Sequence, residues 1–162
     1  MQRLKYLGFI LSADGVRPDP EYIQRVIEMP QPTDRKSVQR AIGMVQWLHR
    51  YIPRLSDYTW PLTALTKKNA KFVWDERCDM AWRRIKELVH NAHFLRHPDM
   101  TKDFFVACDA SSYGIGAVLM QCHDGLLHPV EFWSRLFKAA ECHWHVSEKE
   151  MASIVFTLEK WR

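Results

Sequence analysis

The chain has 162 residues, 47% hydrophobic and 12% aromatic, which is ample material for a packed core in one ordinary domain or two small ones. No run approaches the ~18 consecutive apolar residues of a membrane span, and Met1-Gln2-Arg3-Leu4-Lys5 lacks the apolar stretch and cleavage site of a secretory signal, so an intracellular protein without a membrane partner is expected. The net charge of +4 hides an asymmetry: residues 1–100 carry 17 Lys/Arg against 11 Asp/Glu, and residues 101–162 carry 6 against 8.

Lys5 to Ile10 reads as a strand, turned by Ser12-Ala13-Asp14-Gly15 with Asp-Gly as the turn signal. Pro18-Asp19-Pro20 opens a short helix, with Asp19 as N-cap and Pro20 at the first helical position, and Pro30-Gln31-Pro32 ends it. Thr33 then caps a helix expected to run to Ile52, before Pro53. Its apolar positions Val38, Ile42, Val45, Leu48 and Ile52 recur at three- and four-residue steps.

The opposite face of that helix carries Lys36, Gln39, Arg40, Gly43, Trp47 and Arg50. A mid-helix glycine costs about 1 kcal/mol relative to alanine, so Gly43 needs a reason. One reason is packing against another helix. The other is a bare backbone that lets a nucleic acid duplex approach, with Gln39 and Trp47 one turn to either side and the cations on phosphates. The eight basic residues between Arg35 and Lys71, against the single acid Asp57, fit a polyanion partner or a solvated helix face.

A helix over Asp57 to Lys67 follows, then one capped by Asp75 with Met80, Ile85 and Leu88 or Val89 turned inward. His97-Pro98-Asp99 reads as the boundary between two units. Beyond it, Phe104-Phe105-Val106-Ala107-Cys108-Asp109 and Gly114 to Leu119 form a hairpin, Leu127 to Ser134 a third strand, and Ser147 starts a helix. A carboxylate at the end of an apolar strand calls for a cation, and a divalent metal is the strongest candidate for Asp109. Glu150 is its candidate partner, brought in if Met151, Ile154, Val155 and Leu158 seat the last helix on the sheet. Against that stands a capping box in which Glu150 bonds back to Ser147. His90, His93 and His97, with His143 and His145, offer a rival zinc set or scattered surface imidazoles. Cys78, Cys108, Cys122 and Cys142 form no C-x-x-C pair and read as reduced structural thiols.

Taken in order, these segments resemble the polyprotein of gypsy-class LTR retrotransposons. The resemblance is carried by Leu7-Gly8-Phe9-Ile10-Leu11-Ser12 with Asp14-Gly15, Pro30 to Thr33, Ile42-Gly43, Tyr51-Ile52-Pro53, Pro61-Leu62-Thr63 and Phe72-Val73-Trp74. It continues through Cys108-Asp109-Ala110-Ser111, Gly114 to Leu119 and Glu148-Lys149-Glu150. It implies an α+β chain: a palm-end, primer-grip-like hairpin over 1–18, a helical thumb and connection over 19–98, and the N-terminal part of a ribonuclease H-like domain over 99–162. Tyr6, Leu7, Gly8 and Phe9 would then position the primer terminus. Lys36, Gln39, Arg40, Gly43, Trp47 and Arg50 would follow the template–primer duplex, RNA–DNA or DNA. Asp109 and Glu150 would be catalytic carboxylates holding Mg2+ in two-metal hydrolysis.

The resemblance also implies that two further carboxylates lie beyond Arg162 and the polymerase motif before Met1. The expected function is therefore a fragment of a reverse transcriptase/ribonuclease H, inactive alone and completed by the rest of the polyprotein or by a partner covering an open sheet edge. The compartment would be the cytoplasm, a virus-like particle or the nucleus. The alternative is a domesticated, non-catalytic module that binds nucleic acid or a protein.

Overall fold

The computed structural model describes residues 3–68 and 70–162. Met1 and Gln2, at the start of the segment read above for a secretory signal, lie outside it, as does Asn69. The expected first strand is a hairpin instead, β1 (Leu4–Tyr6) and β2 (Phe9–Leu11). Between them Leu7 and Gly8 take φ of 47° and 81°, the paired left-handed turn whose twist matches an antiparallel ribbon. β3 (Gly15–Pro18) extends the sheet, and β4 (Leu95–Arg96), unforeseen in the sequence, closes it in the order β1-β2-β3-β4.

The helical part holds the largest core. α1 (Pro20–Ile27) begins as expected, Asp19 accepting the Glu21 amide at 3.1 Å. α2 (Arg35–Gln46) is capped by Asp34 rather than Thr33, because Ser37 lies three residues on and closes a reciprocal box: the Ser37 amide donates to Asp34 at 2.6 Å. It stops at Gln46, not Ile52, where Trp47 and Tyr51 turn onto Phe9 and a 3-10 turn, His49–Tyr51, follows. Val38, Val45, Leu48 and Ile52 are nevertheless buried, as their spacing predicts, and Ile42 packs against them.

α3 (Leu55–Leu65) starts two residues before the expected Asp57, and α4 (Glu76–His90) is capped by Asp75 as read. Ile85 and Val89 enter the core, but Met80 is exposed. Among the described residues no helix is long and apolar enough to cross a membrane.

The second sheet, β5 (Phe104–Ala110), β6 (Gly114–His123) and β7 (Leu126–Leu136), is an antiparallel meander in that order. Asp124-Gly125, with φ of 53° and 78°, makes the two-residue turn between β6 and β7. α5 (Val146–Lys160) lies along β5 and β6. Its cap is His145, not Ser147, and Glu148, not Glu150, returns to the cap amide at 2.7 Å. Met151, Ile154, Val155 and Leu158 are exposed, contrary to expectation, and the buried face is Ser153 and Thr157. Small side chains let the helix sit close to the strand: Ser153 Oγ is 3.6 Å from Cys108 Sγ.

Candidate nucleic-acid interface and carboxylate site

α2 runs its core face and its polar face on opposite sides, so Lys36, Gln39, Arg40 and Gly43 all stand exposed along one stripe, continued by Trp47 and Arg50 just past its end. A Cβ built on Gly43 meets nothing within 4 Å. That removes the packing explanation and leaves an open strip of helix backbone. Trp47 is also tied to the N-terminal sheet: its indole stacks on Phe9 at 5.3 Å with 16° between planes, and Phe9 stacks on Tyr51 at 5.4 Å. Gly8 sits against the indole, where a Cβ would stand 3.5 Å from Nε1. The hairpin and the helix stripe are thereby joined: Tyr6 and Leu7 are exposed at one end of a surface whose other end is Lys36. Lys5 pins the hairpin to the start of α1 through Asp19 at 2.8 Å and Glu21 at 2.7 Å.

Asp109 does have a cationic partner, and it is a side chain. Arg54 Nη1 donates to Asp109 Oδ2 at 2.5 Å, while Arg54 Nε donates to Asp57 Oδ2 at 2.8 Å. Ser111 Oγ donates to the other oxygen of Asp57 at 2.6 Å. Burial alone would lower the Arg54 pKa, but the Asp57 hydrogen bond and the charges of Asp57 and Asp109 outweigh it and raise it. The cost argument that pointed to a metal also weakens, because the Asp109 side chain is 55% exposed.

The Gly114-Ile115-Gly116 run explains how α3 comes so close. A Cβ on Gly116 would lie 2.5 Å from Arg54 Cγ, and one on Gly114 would lie 2.4 Å from the Arg135 carbonyl oxygen. The Ser56 amide donates to Ser134 Oγ at 3.1 Å, completing the seat. Arg54 and Asp57 were missed as site residues. The available signal was an arginine three residues before the only acid in a basic stretch.

Glu150 is exposed and, since Glu148 makes the cap, is released from the capping role that competed with a site role. Cys108 faces α5 through Ser153, whereas Asp109, next along the strand, faces Arg54. α5 itself is held by Arg135, whose guanidinium lies 4.3 Å from the Phe156 ring centroid and pairs with buried Glu141 at 3.0 Å and 3.3 Å. Burial pushes Glu141 up, but the Lys138 amide and the Arg135 guanidinium more than offset it and hold its pKa below the usual glutamate value.

Among the described residues no group of three or more His, Cys, Asp or Glu converges on one point. Asp109 and Glu150 therefore have no third donor of these types converging with them among the described residues. The zinc alternative fails: His93 stacks on Phe132 at 4.9 Å, and His97 bonds the Ser12 carbonyl at 2.9 Å.

Residues 74–162 match the family model described as the RNase H-like domain found in reverse transcriptase. The chain is 35% identical over 161 residues to the Tf2-3 and Tf2-4 transposon polyproteins of Schizosaccharomyces pombe, covering 99% of this chain and 12% of theirs. It thus spans about an eighth of the length of these relatives. The fold is similar to a foamy viral protease-reverse transcriptase solved with double-stranded DNA (TM-score 0.82, 20% identity, 98% of this chain and 28% of that one). A second foamy viral structure, solved with an RNA/DNA hybrid, superposes with a TM-score of 0.80 at 20% identity, over 98% of this chain and 22% of that one.

Proposed function

The chain belongs to the RNase H-like domain family found in reverse transcriptase, and from that membership we propose that it is the duplex-holding part of a retrotransposon reverse transcriptase/ribonuclease H. In this reading residues 1–18 are the palm-end hairpin, 19–98 the thumb and connection, and 99–162 the first part of the ribonuclease H-like unit. The observation that carries the proposal is Gly43, exposed and placed so that an added Cβ would meet nothing within 4 Å, in the middle of a stripe of Lys36, Gln39, Arg40, Trp47 and Arg50. A template–primer duplex would lie along that stripe. Lys36, Arg40 and Arg50 would meet phosphates, Gln39 the sugar or base edges, and the Gly43 backbone would allow the close approach.

Tyr6, Leu7, Gly8 and Phe9 would meet the primer end beyond Trp47. The relatives' polyprotein nature and the neighbours' duplex complexes support this assignment. Asp109 and Glu150 are proposed as carboxylates of the ribonuclease H-like unit, in a site the described residues do not close around an ion. The parent protein would work inside the cell, in the cytoplasm, a virus-like particle or the nucleus.

Fluorescence anisotropy with a labelled RNA–DNA hybrid tests the reading. Gln39→Ala is expected to weaken binding several-fold while leaving the thermal midpoint within about 2 °C, because the side chain is exposed. Binding indistinguishable from wild type for both Gln39→Ala and Arg40→Gln would rule out the α2 surface and favour a protein-interaction module.

A further inference from the structure

Where the β3–β4 end of the first sheet meets the second sheet, a cleft of about 250 Å3 opens, with Arg50, Tyr51, Arg96, Met100 and Phe104 in its lining. We propose that it seats one unpaired nucleotide of a single strand, the phosphate held by Arg50, Arg96 and the Tyr51 hydroxyl and the base laid on Phe104 and Met100. The assignment rests on the lining of the cleft itself and does not need the α2 stripe to hold a duplex.

The polar lining asks for an anion. Among the described residues neither Arg50 nor Arg96 lies within ion-pair distance of an acid, so two guanidinium forks stand free at one cleft. The carboxylate there, Glu131, is answered by residues that do not line the cleft: Lys160 Nζ lies 3.7 Å away and Trp161 Nε1 donates to it at 3.2 Å. Tyr51 is 1% exposed, yet its hydroxyl has no hydrogen-bond partner among the described residues. An orphaned buried hydroxyl is costly, and a phosphate oxygen would supply the missing acceptor. Burial pushes the Tyr51 pKa up, so the hydroxyl keeps its proton and remains a donor.

The remaining lining suits a base. Leu95 is buried, while Phe104 and Met100 stand 38% and 81% exposed. An aromatic ring and a thioether beside free guanidiniums match a phosphate joined to a π-face, which a single strand presents and an acidic peptide does not. The volume falls below the roughly 300–1,000 Å3 of clefts that enclose a drug-sized molecule, which fits a single unit of a polymer. Arg50 also follows Lys36 and Arg40 in the exposed series along α2, so one side chain borders both surfaces.

The test uses the full chain and methyl NMR, with a five-nucleotide oligothymidylate as the probe. Its addition should shift the methyl signals of Leu95, Met100 and Leu119, which line the cleft, and leave Leu62 in the helical core in place. Arg96→Gln should weaken affinity about three- to tenfold, and Phe104→Ala at least about fivefold. Tyr51→Phe keeps the ring that stacks on Phe9 and removes only the hydroxyl, for a loss of about two- to fivefold. Unchanged affinity in any of the three variants overturns the proposal, as do shifts that miss these methyls or no shift at millimolar probe. Inorganic phosphate or a pentaglutamate peptide that shifts the same methyls at equal concentration would make the cleft a general anion site and overturn the nucleotide assignment. Loss of the hybrid-binding reading with oligothymidylate binding kept would refute the α2 surface and leave this proposal standing.

Discussion

Replacing Gly43 by alanine separates the two reasons a glycine can occupy the middle of a helix. Gly43 is the ninth of the twelve residues of α2, far enough inside to carry the full helix-propensity difference. A Cβ there meets nothing within 4 Å, so no steric cost offsets the gain in the free chain. The expected stabilisation is about 0.5–1 kcal/mol, a rise in thermal midpoint of about 1–4 °C for a chain of this size. The bound state should respond in the opposite sense. If a duplex backbone lies against Gly43, an added methyl in a close-packed contact costs about 1–3 kcal/mol, at least about fivefold in Kd. Calorimetric melting and anisotropy with an RNA–DNA hybrid, run on the same preparations, read both numbers. A lowered melting temperature would mean that Gly43 packs against protein after all. A raised melting temperature with unchanged Kd would mean that nothing approaches the stripe, and the interface proposal would fail.

Gly116→Ala should act oppositely, because its Cβ would stand 2.5 Å from Arg54 Cγ. That is near the base of the side chain, where it cannot simply swing away, so a loss of about 1–3 kcal/mol in chemical denaturation is expected. A neutral result would show that Arg54 does not rest on β6. Glu141 sets part of the acid response. Its folded pKa lies below the unfolded value of about 4.3, so its contribution is complete above that value and is lost as pH falls through the lower folded one. Glu141→Gln should therefore flatten the acid limb of stability below the unfolded glutamate value; an identical limb would show that the Arg135–Glu141 pair is uncoupled from folding.

What the sequence made legible was local. Asp19-Pro20 and Asp75 marked two helix starts correctly because a cap is decided within three residues. Where two cap candidates stood side by side, the outcome turned on a partner: Ser37 chose Asp34 over Thr33, and Glu148 chose His145 over Ser147. Periodicity found the buried stripe of α2 but misjudged α5, since Met151, Ile154, Val155 and Leu158 have helical spacing without facing this sheet. Periodicity reports that a face is apolar, not what covers it. The resemblance implied a hairpin over 1–18, but the residues alone read as one strand across Leu7-Gly8, because a bulky residue holds a positive φ there. Least legible was the Arg54–Asp109 joint. The chemistry demanded a cation, and a metal answered as well as an arginine 55 residues upstream until the fold brought one of them in. The exposed order of Lys36, Gln39, Arg40, Gly43 and Trp47, by contrast, was readable from helical geometry alone.

The salt dependence of duplex binding tests the central claim most directly, because each phosphate contact contributes about 0.9 to the slope of log K against log salt on B-form DNA, with a similar increment expected on a hybrid. If Lys36, Arg40 and Arg50 meet phosphates, the variant carrying Lys36→Gln, Arg40→Gln and Arg50→Gln should lose about 3 from the wild-type slope and bind more weakly at every salt concentration. A slope unchanged by the three substitutions would place the duplex elsewhere or remove it altogether.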